Sequence, residues 1–114
     1  MSVKLTTRQV DDVTVIEAVG RITLGEGGSN FRDSILNLAE AGHKKVLLNL
    51  AGVSYIDSAG MGELVGGFIT MANRGGRMKL LNLDKRAKDL LLVTKLYTVF
   101  EAFEDEATAV RSFS

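Results

Sequence analysis

The chain has 114 residues, enough for one domain with a hydrophobic core and too few for two. Its 14 basic and 14 acidic residues cancel, so no net charge draws it towards nucleic acid or an anionic membrane. It has one histidine and no cysteine, which excludes disulfides and thiolate metal sites, and we expect no metal or cofactor.

A predicted hairpin opens the chain. Residues 3–10 and 13–19 are rich in Val, Ile and Thr, which favour strands, and Asp11-Asp12 between them suits a turn. Gly20 is expected to end the second strand. The pattern predicts an N-terminal antiparallel pair.

A glycine-rich segment leads into the first predicted helix. The run Gly25-Glu26-Gly27-Gly28-Ser29-Asn30 predicts a flexible loop in which Ser29 or Asn30 caps the helix. It lacks the Gly-Lys-Ser/Thr sequence of a phosphate-binding loop, and its glutamate would repel phosphate. The helix is predicted to end near Gly42, and its apolar residues have helical spacing: Phe31, Ile35, Leu38 and Ala39.

A strand, a loop and a second helix are predicted for the middle of the chain. Residues 46–50 form a nearly continuous apolar run, typical of a strand covered on both faces, and residues 52–55 are predicted to be a loop. A helix over 58–73 follows, and Gly75-Gly76 ends it. Its apolar residues lie on one face: Met61, Leu64, Val65, Phe68 and Ala72.

In the last third of the chain, the residue pattern predicts four elements. They are a strand over 78–83, a helix over 85–96 capped by Asp84, a strand over 99–103 and a helix over 105–113. The order β-β-α-β-α-β-α-β-α, within a single domain over 1–114, indicates an α/β fold with a mostly parallel sheet. Functional loops of such sheets follow the C-terminal ends of the parallel strands. We therefore expect the loops 22–29 and 53–62 to lie at one end of the sheet.

No apolar run approaches the roughly 20 residues that cross a bilayer, and residues 1–5 lack the apolar core of a signal peptide. We expect a cytoplasmic protein without membrane insertion. The densest basic group, Lys85, Arg86 and Lys88, is interpreted as a solvated helix face. Aromatic residues do not alternate with basic ones, so direct contact with nucleic acid is not expected.

Ser58 is first considered as a catalytic nucleophile. A hydrolase elbow requires Gly-x-Ser-x-Gly, and Ile56-Asp57-Ser58-Ala59-Gly60 matches only the second half. The one histidine, His43, precedes the strand 46–50 and Ser58 follows it, a separation of roughly 16 Å at 3.3 Å per residue. A Ser–His pair cannot form over that distance, so no catalytic residue is expected.

Ser58 can instead be a capping residue or a phosphate acceptor. Capping by Ser58 or Asp57 contributes ~1 kcal/mol. The helix N-terminus favours a phosphate by ~0.3–1 kcal/mol, and repulsion from Asp57 roughly offsets this, so the domain could accept the group. The phosphate would add ~1.5–2 negative charges to an exposed turn and expel a docked partner.

Four glycines in the same helix leave two interpretations open. They allow close packing of the helix on the sheet, or they form a flat surface that a partner's backbone can approach. These glycines are Gly60, Gly62, Gly66 and Gly67.

The segment Tyr55-Ile56-Asp57-Ser58-Ala59-Gly60-Met61-Gly62 resembles the Asp-Ser-[Ser/Thr]-Gly-[Leu/Met]-Gly signature of STAS-domain anti-sigma factor antagonists. The preceding Leu47-Leu48-Asn49-Leu50-Ala51-Gly52-Val53 resembles the strand and loop before that signature. The likeness spans the whole chain and includes the N-terminal hairpin, Gly20-Arg21-Ile22, and the Val99-Phe100 strand with its closing helix, which implies a STAS fold. In that family, the unphosphorylated antagonist binds an anti-sigma factor that is also a GHKL-type serine kinase, and thereby frees the sigma factor. Phosphorylation ends the binding, and a PP2C-type phosphatase restores it.

Transferred to matching positions, the resemblance implies that Ser58 is the phosphorylated residue and that Asp57 positions the turn or contacts the kinase. The partner-binding residues are expected to be Asp57, Ser58, Ala59, Gly60, Met61, Gly62, Glu63 and Thr23.

At three positions the chain departs from the family pattern. Thr23, Asn49 and Ala59 stand where the family often has Asp, Asp and Ser or Thr. The missing carboxylates at 23 and 49 favour an alternative, a STAS scaffold subunit of a stressosome-like or lipid-transport assembly without a phosphorylation switch. The intact Ser58 favours the antagonist.

Overall fold

A computed structural model describes residues 3–23 and 26–114 of the chain. The elements follow the predicted order, with a 3₁₀ turn at Leu96–Thr98: β1 (Val3–Val10), β2 (Val13–Ile22), α1 (Glu26–Glu40), β3 (Lys45–Ile56), α2 (Ser58–Asn73), β4 (Arg77–Leu81), α3 (Lys85–Thr94), β5 (Ala102–Phe103) and α4 (Glu106–Arg111).

The five strands form one sheet in the order β1-β2-β3-β4-β5. β1 and β2 are antiparallel, and a two-residue turn joins them between the paired Val10 and Val13. The other neighbouring pairs are parallel. The predicted α/β fold, a mostly parallel sheet with an N-terminal antiparallel hairpin, is confirmed.

β3 is longer than predicted, and the expected loop at 52–55 is wrong. The strand continues to Ile56 because two extra residues in β3, opposite β2, are taken up as β-bulges. Gly52 suits the first bulge, since a Cβ there would lie 2.9 Å from the carbonyl oxygen of Ala18. The second strand also passes Gly20, which has a φ of +121°, and ends at Ile22.

The predicted start of α1 is also wrong. The helix begins at Glu26 and includes Ser29 and Asn30, so neither residue caps it, and the expected flexible loop is helical from residue 26. Gly25, and Leu24 before it, lie outside the described residues. Glycine is a poor helix former, and that preference is overridden here.

The ends of the later elements differ by a few residues. β4 spans Arg77–Leu81, β5 is reduced to Ala102–Phe103, and α3 stops at Thr94, where Lys95 takes a left-handed φ of 61°. The predicted cap Asp84 is confirmed, because its Oδ1 accepts the amide N–H of Ala87 at 2.8 Å.

Apolar residues are buried on both faces of the sheet. The larger core lies under α1, α2 and α3, and its fully buried side chains include Ile16, Leu48 and Leu64. α4 covers a smaller cluster on the opposite face, around Leu47 and Phe113. The carboxyl ends of β2 and β3 lie at the end of the sheet where α2 begins.

Candidate functional site

The turn from β3 into α2 contains Asp57 and Ser58. Asp57 is the N-cap: its Oδ1 accepts the amide N–H of Gly60 at 2.7 Å, and its carbonyl oxygen accepts that of Met61 at 2.8 Å. Ser58 is the first residue of α2 and is exposed, as is Ala59. Of the two capping alternatives the structure selects Asp57, which leaves the Ser58 hydroxyl on the surface of the helix's first turn.

The turn is attached to the end of β2. Ile22 and Ile56 are register partners in the sheet, which confirms the prediction that the two loops meet at one end. Gly60 is buried against Ile22, and a Cβ on it would come within 1.9 Å of the Ile22 carbonyl oxygen. Met61 is fully buried, and half-buried Thr23 follows Ile22 directly. Gly60 and Met61 therefore lie beneath the turn, whereas Ser58 and Ala59 lie on it.

The glycines of α2 divide between the two interpretations that the sequence left open. Gly60 and Gly67 serve packing, since a Cβ on Gly67 would lie 2.7 Å from the ring of Phe31. Gly62 and Gly66 have no heavy atom within 4 Å of a Cβ position. These two leave a bare strip on the helix surface that begins one turn from Ser58.

Glu63 lies at the boundary between α2 and α1. Its Oε2 is 2.5 Å from Nε of Arg32, and only 17% of the Glu63 side chain is exposed. The predicted partner-binding residue is therefore engaged within the chain, and it helps to hold α1 beside the turn.

A groove of about 370 Å³ runs from the turn to α3. Ser58 and Asp57 line one side, and Arg86, Leu90 and Val93 line the other. A second groove of about 500 Å³ lies near Phe103, away from the turn. Its charged side chains either form ion pairs, such as Lys88 with Glu104 at 2.7 Å, or cap a helix.

Tyr55 and two arginines are functional candidates that the sequence reasoning missed. The guanidinium carbons of Arg21 and Arg86 lie 4.9 Å and 5.0 Å from the centre of the Tyr55 ring. Arg21 could have been found, because it pairs with Tyr55 once β2 and β3 extend to their true ends. Arg86 had been interpreted as part of a solvated helix face.

Asn49 belongs to a hydrogen-bond network on the sheet. Its Nδ2 donates to Glu17 Oε2 at 2.7 Å, and its Oδ1 accepts Nδ2 of Asn82 at 3.0 Å and the amide N–H of Ala51 at 3.1 Å. An aspartate here would face the Glu17 carboxylate without a proton to donate. The neighbouring Glu17 thus explains why this chain carries Asn49.

His43 lies at the opposite end of β3 from Ser58. Its Nδ1 is 3.0 Å from Oγ1 of the buried Thr14, so it belongs to a separate polar group. Among the side chains that the structure describes, no three histidines or carboxylates are arranged to hold a metal ion. Over residues 3–23 and 26–114, no helix is both long and apolar enough to span a membrane.

Comparison with known proteins adds independent information. The model of the STAS domain family matches residues 4–109. The anti-sigma-B factor antagonist of Bacillus subtilis (strain 168) is 30% identical over 101 residues, which cover 89% of this chain and 91% of the relative.

Solved structures share the same fold. An anti-sigma factor antagonist from Mycobacterium paratuberculosis superposes with a TM-score of 0.84 at 15% identity, covering 97% of this chain and 93% of that one. The Bacillus cell fate determinant SpoIIAA in its phosphorylated form superposes with a TM-score of 0.73 at 19% identity, covering 97% and 100%. At these identities the likeness concerns the fold.

Proposed function

The chain belongs to the STAS domain family, and from that premise we propose that it is an anti-sigma factor antagonist, acting in the cytoplasm by binding and not by catalysis. The observation that carries this proposal is the exposed hydroxyl of Ser58 on a rigid turn. The name of the Bacillus subtilis relative supports an anti-sigma factor as the partner.

Phosphorylation of Ser58 is the proposed switch. The Asp57 carboxylate already accepts the Gly60 amide, so the cap does not depend on the serine hydroxyl and survives its modification. A phosphate at the first residue of α2 is favoured by the helix dipole by ~0.3–1 kcal/mol. The fold is retained while the turn gains ~1.5–2 negative charges, which repel a partner docked there.

The predicted interface residues have two roles in this proposal. Ser58, Ala59 and the bare Gly62 form the surface that the partner contacts, with the rim of Glu63 and Thr23 beside it. Asp57, Gly60 and Met61 hold that surface in place from within. The kinase is the anti-sigma factor itself, with a GHKL-type domain, and a PP2C-type phosphatase reverses the modification.

The alternative is a STAS scaffold subunit of a stressosome-like or lipid-transport assembly, which needs no phosphorylation. Two missing carboxylates favour this alternative, at positions 23 and 49. The one at position 49 is weaker support, because Asn49 donates a hydrogen bond to Glu17 in this chain. Thr23 remains in its favour.

The decisive experiment mixes the protein with Mg-ATP and the anti-sigma kinase of the same organism and measures intact mass. We expect one added phosphate, which Ser58→Ala abolishes. The matched control is Ser54→Ala, which removes an exposed serine that lies on β3 instead of α2. This variant should be phosphorylated like wild type. An unmodified wild type, or a phosphate on another residue, would overturn the switch and favour the scaffold.

A further inference from the structure

Two cationic side chains, Arg21 and Arg86, stack on the ring of Tyr55 close to Ser58. These three residues are here called the arginine–tyrosine stack. Arg21 lies on β2, Tyr55 on β3 and Arg86 in the first turn of α3. Both guanidinium carbons lie within about 5 Å of the centre of the Tyr55 ring. Stacking on an aromatic ring attracts a guanidinium to the face of the ring and limits its orientations. The stack therefore presents two positioned cations.

Neither guanidinium is neutralised within the part of the chain that the structure describes. The ion pairs found there involve other basic residues, such as Arg8, Lys85 and Lys88, while Arg21 and Arg86 stack on the Tyr55 ring and form no ion pair with a described residue. Both residues are exposed. A guanidinium that is stacked on a ring keeps its N–H donors free at its edge, in the fork that a carboxylate accepts.

The stack borders the groove beside Ser58. Arg86 and Tyr55 line that groove together with Leu90 and with Val93, which is 80% exposed. The two acidic residues of the groove are already engaged: Asp57 accepts the Gly60 amide, and Asp89 pairs with Lys85 at 2.9 Å. The groove thus combines an apolar wall with the unneutralised guanidinium of Arg86, and that of Arg21 stacks on the same Tyr55 ring at its border.

We propose that the arginine–tyrosine stack and this groove bind an acidic segment of the anti-sigma factor. Carboxylates of that segment pair with Arg21 and Arg86, and an adjacent apolar side chain packs against Leu90 and Val93. Charge complementarity argues for this occupant, because the unpaired charged groups of the stack and the groove are cations and the groove's own acids are satisfied. The inference rests on the proposed function, whose partner it describes chemically.

The test measures the affinity of the purified anti-sigma factor of the same organism for Arg21→Gln, Arg86→Gln and the double variant. Both side chains are exposed, so the fold should be retained, which urea denaturation verifies. We expect a roughly 10-fold loss of affinity in the double variant, with a weaker dependence on salt than in wild type. Arg111→Gln removes the same charge from α4, on the other face of the sheet, and should bind like wild type.

A further variant tests the contribution of the Tyr55 ring apart from that of the two positive charges. Tyr55→Leu keeps both arginines but removes the ring, and an intermediate loss of affinity is expected.

Three outcomes would overturn the inference. If the double variant binds as tightly as Arg111→Gln, the stack does not contact the partner, although the Ser58 switch can still hold. If the arginine variants alter only the self-association of the protein, the groove receives a second copy of this chain. If wild type itself does not bind the anti-sigma factor, the proposed function fails and the inference fails with it.

Discussion

The α-carbon of Gly60 faces the carbonyl oxygen of Ile22 so closely that a Cβ on residue 60 would lie 1.9 Å from that oxygen. This contact joins the first turn of α2 to the last residue of β2. The hydrogen bond from the Gly60 amide to Asp57 holds the same turn. Together the two contacts fix the position of Ser58 relative to the end of β2.

Gly60→Ala should lower the free energy of unfolding by about 1–3 kcal/mol, because the backbone of Ile22 must shift to admit the methyl group. Gly66→Ala is the control in the same helix. It meets no atom within 4 Å and gains up to about 1 kcal/mol from helix propensity. Urea denaturation of both variants measures the difference. Equal stabilities would show that the contact with Ile22 relaxes freely.

Asp57 should act through its hydrogen bond to the helix N-terminus. Asp57→Ala removes the acceptor and should reduce the free energy of unfolding by about 1 kcal/mol, whereas Asp57→Asn keeps an oxygen at the cap and should lose less. Denaturant midpoints give the stabilities, and single-turnover phosphorylation gives the reactivity of Ser58. If Asp57→Asn is stable but poorly phosphorylated, the carboxylate contacts the kinase as well as capping the helix.

Asn49→Asp introduces the residue that the resemblance to the STAS family leads one to expect, yet we expect it to destabilise this protein by about 1–3 kcal/mol. The change removes the donor to Glu17 and places two carboxylates within hydrogen-bond distance. Glu17→Gln in the same chain supplies an amide donor and should recover part of the loss. A double-mutant cycle from urea unfolding measures this coupling. Additive effects would mean that Glu17 and Asn49 do not interact.

Acid should weaken the link between α4 and the hairpin. The hydrogen bond from Arg8 lowers the pKa of the Glu106 carboxyl. Since the folded-state pKa lies below the unfolded one, this stabilisation is present above the ordinary carboxyl pKa and is lost as pH falls through the folded value.

Glu106→Gln should therefore be less stable than wild type at pH 7, by under about 1 kcal/mol because the pair is partly exposed. The difference should shrink towards pH 3, and chemical denaturation at the two pH values measures it. Asp33→Asn, an exposed change on α1, controls for the loss of one negative charge. A difference that persists at pH 3 would exclude the ion pair as its source.

Long, regular patterns in the sequence predicted their elements well. The helical spacing in α2 and the β-branched residues of the hairpin predicted the right element types, although Ala72 of the predicted α2 face is exposed and Met71 is buried instead. The ends of β4, β5 and α3 differ from the prediction by a few residues, and the larger errors involve glycine. The sequence predicts a loop at Gly52 and a flexible segment at 25–30, but bulge formation and the extension of α1 from Glu26 override the local preference of glycine.

The sequence by itself determined the element order, the α/β class and the position of Ser58 at the start of a helix, because these depend on local pattern. Only the tertiary structure decided that Asp57 and not Ser58 caps α2, that Gly60 packs while Gly62 lies bare, and that Arg21 and Arg86 both stack on Tyr55. These relationships join residues that are distant along the chain. They depend on strand register, and the two bulges that set the register of β3 against β2 leave no distinct periodicity in the sequence.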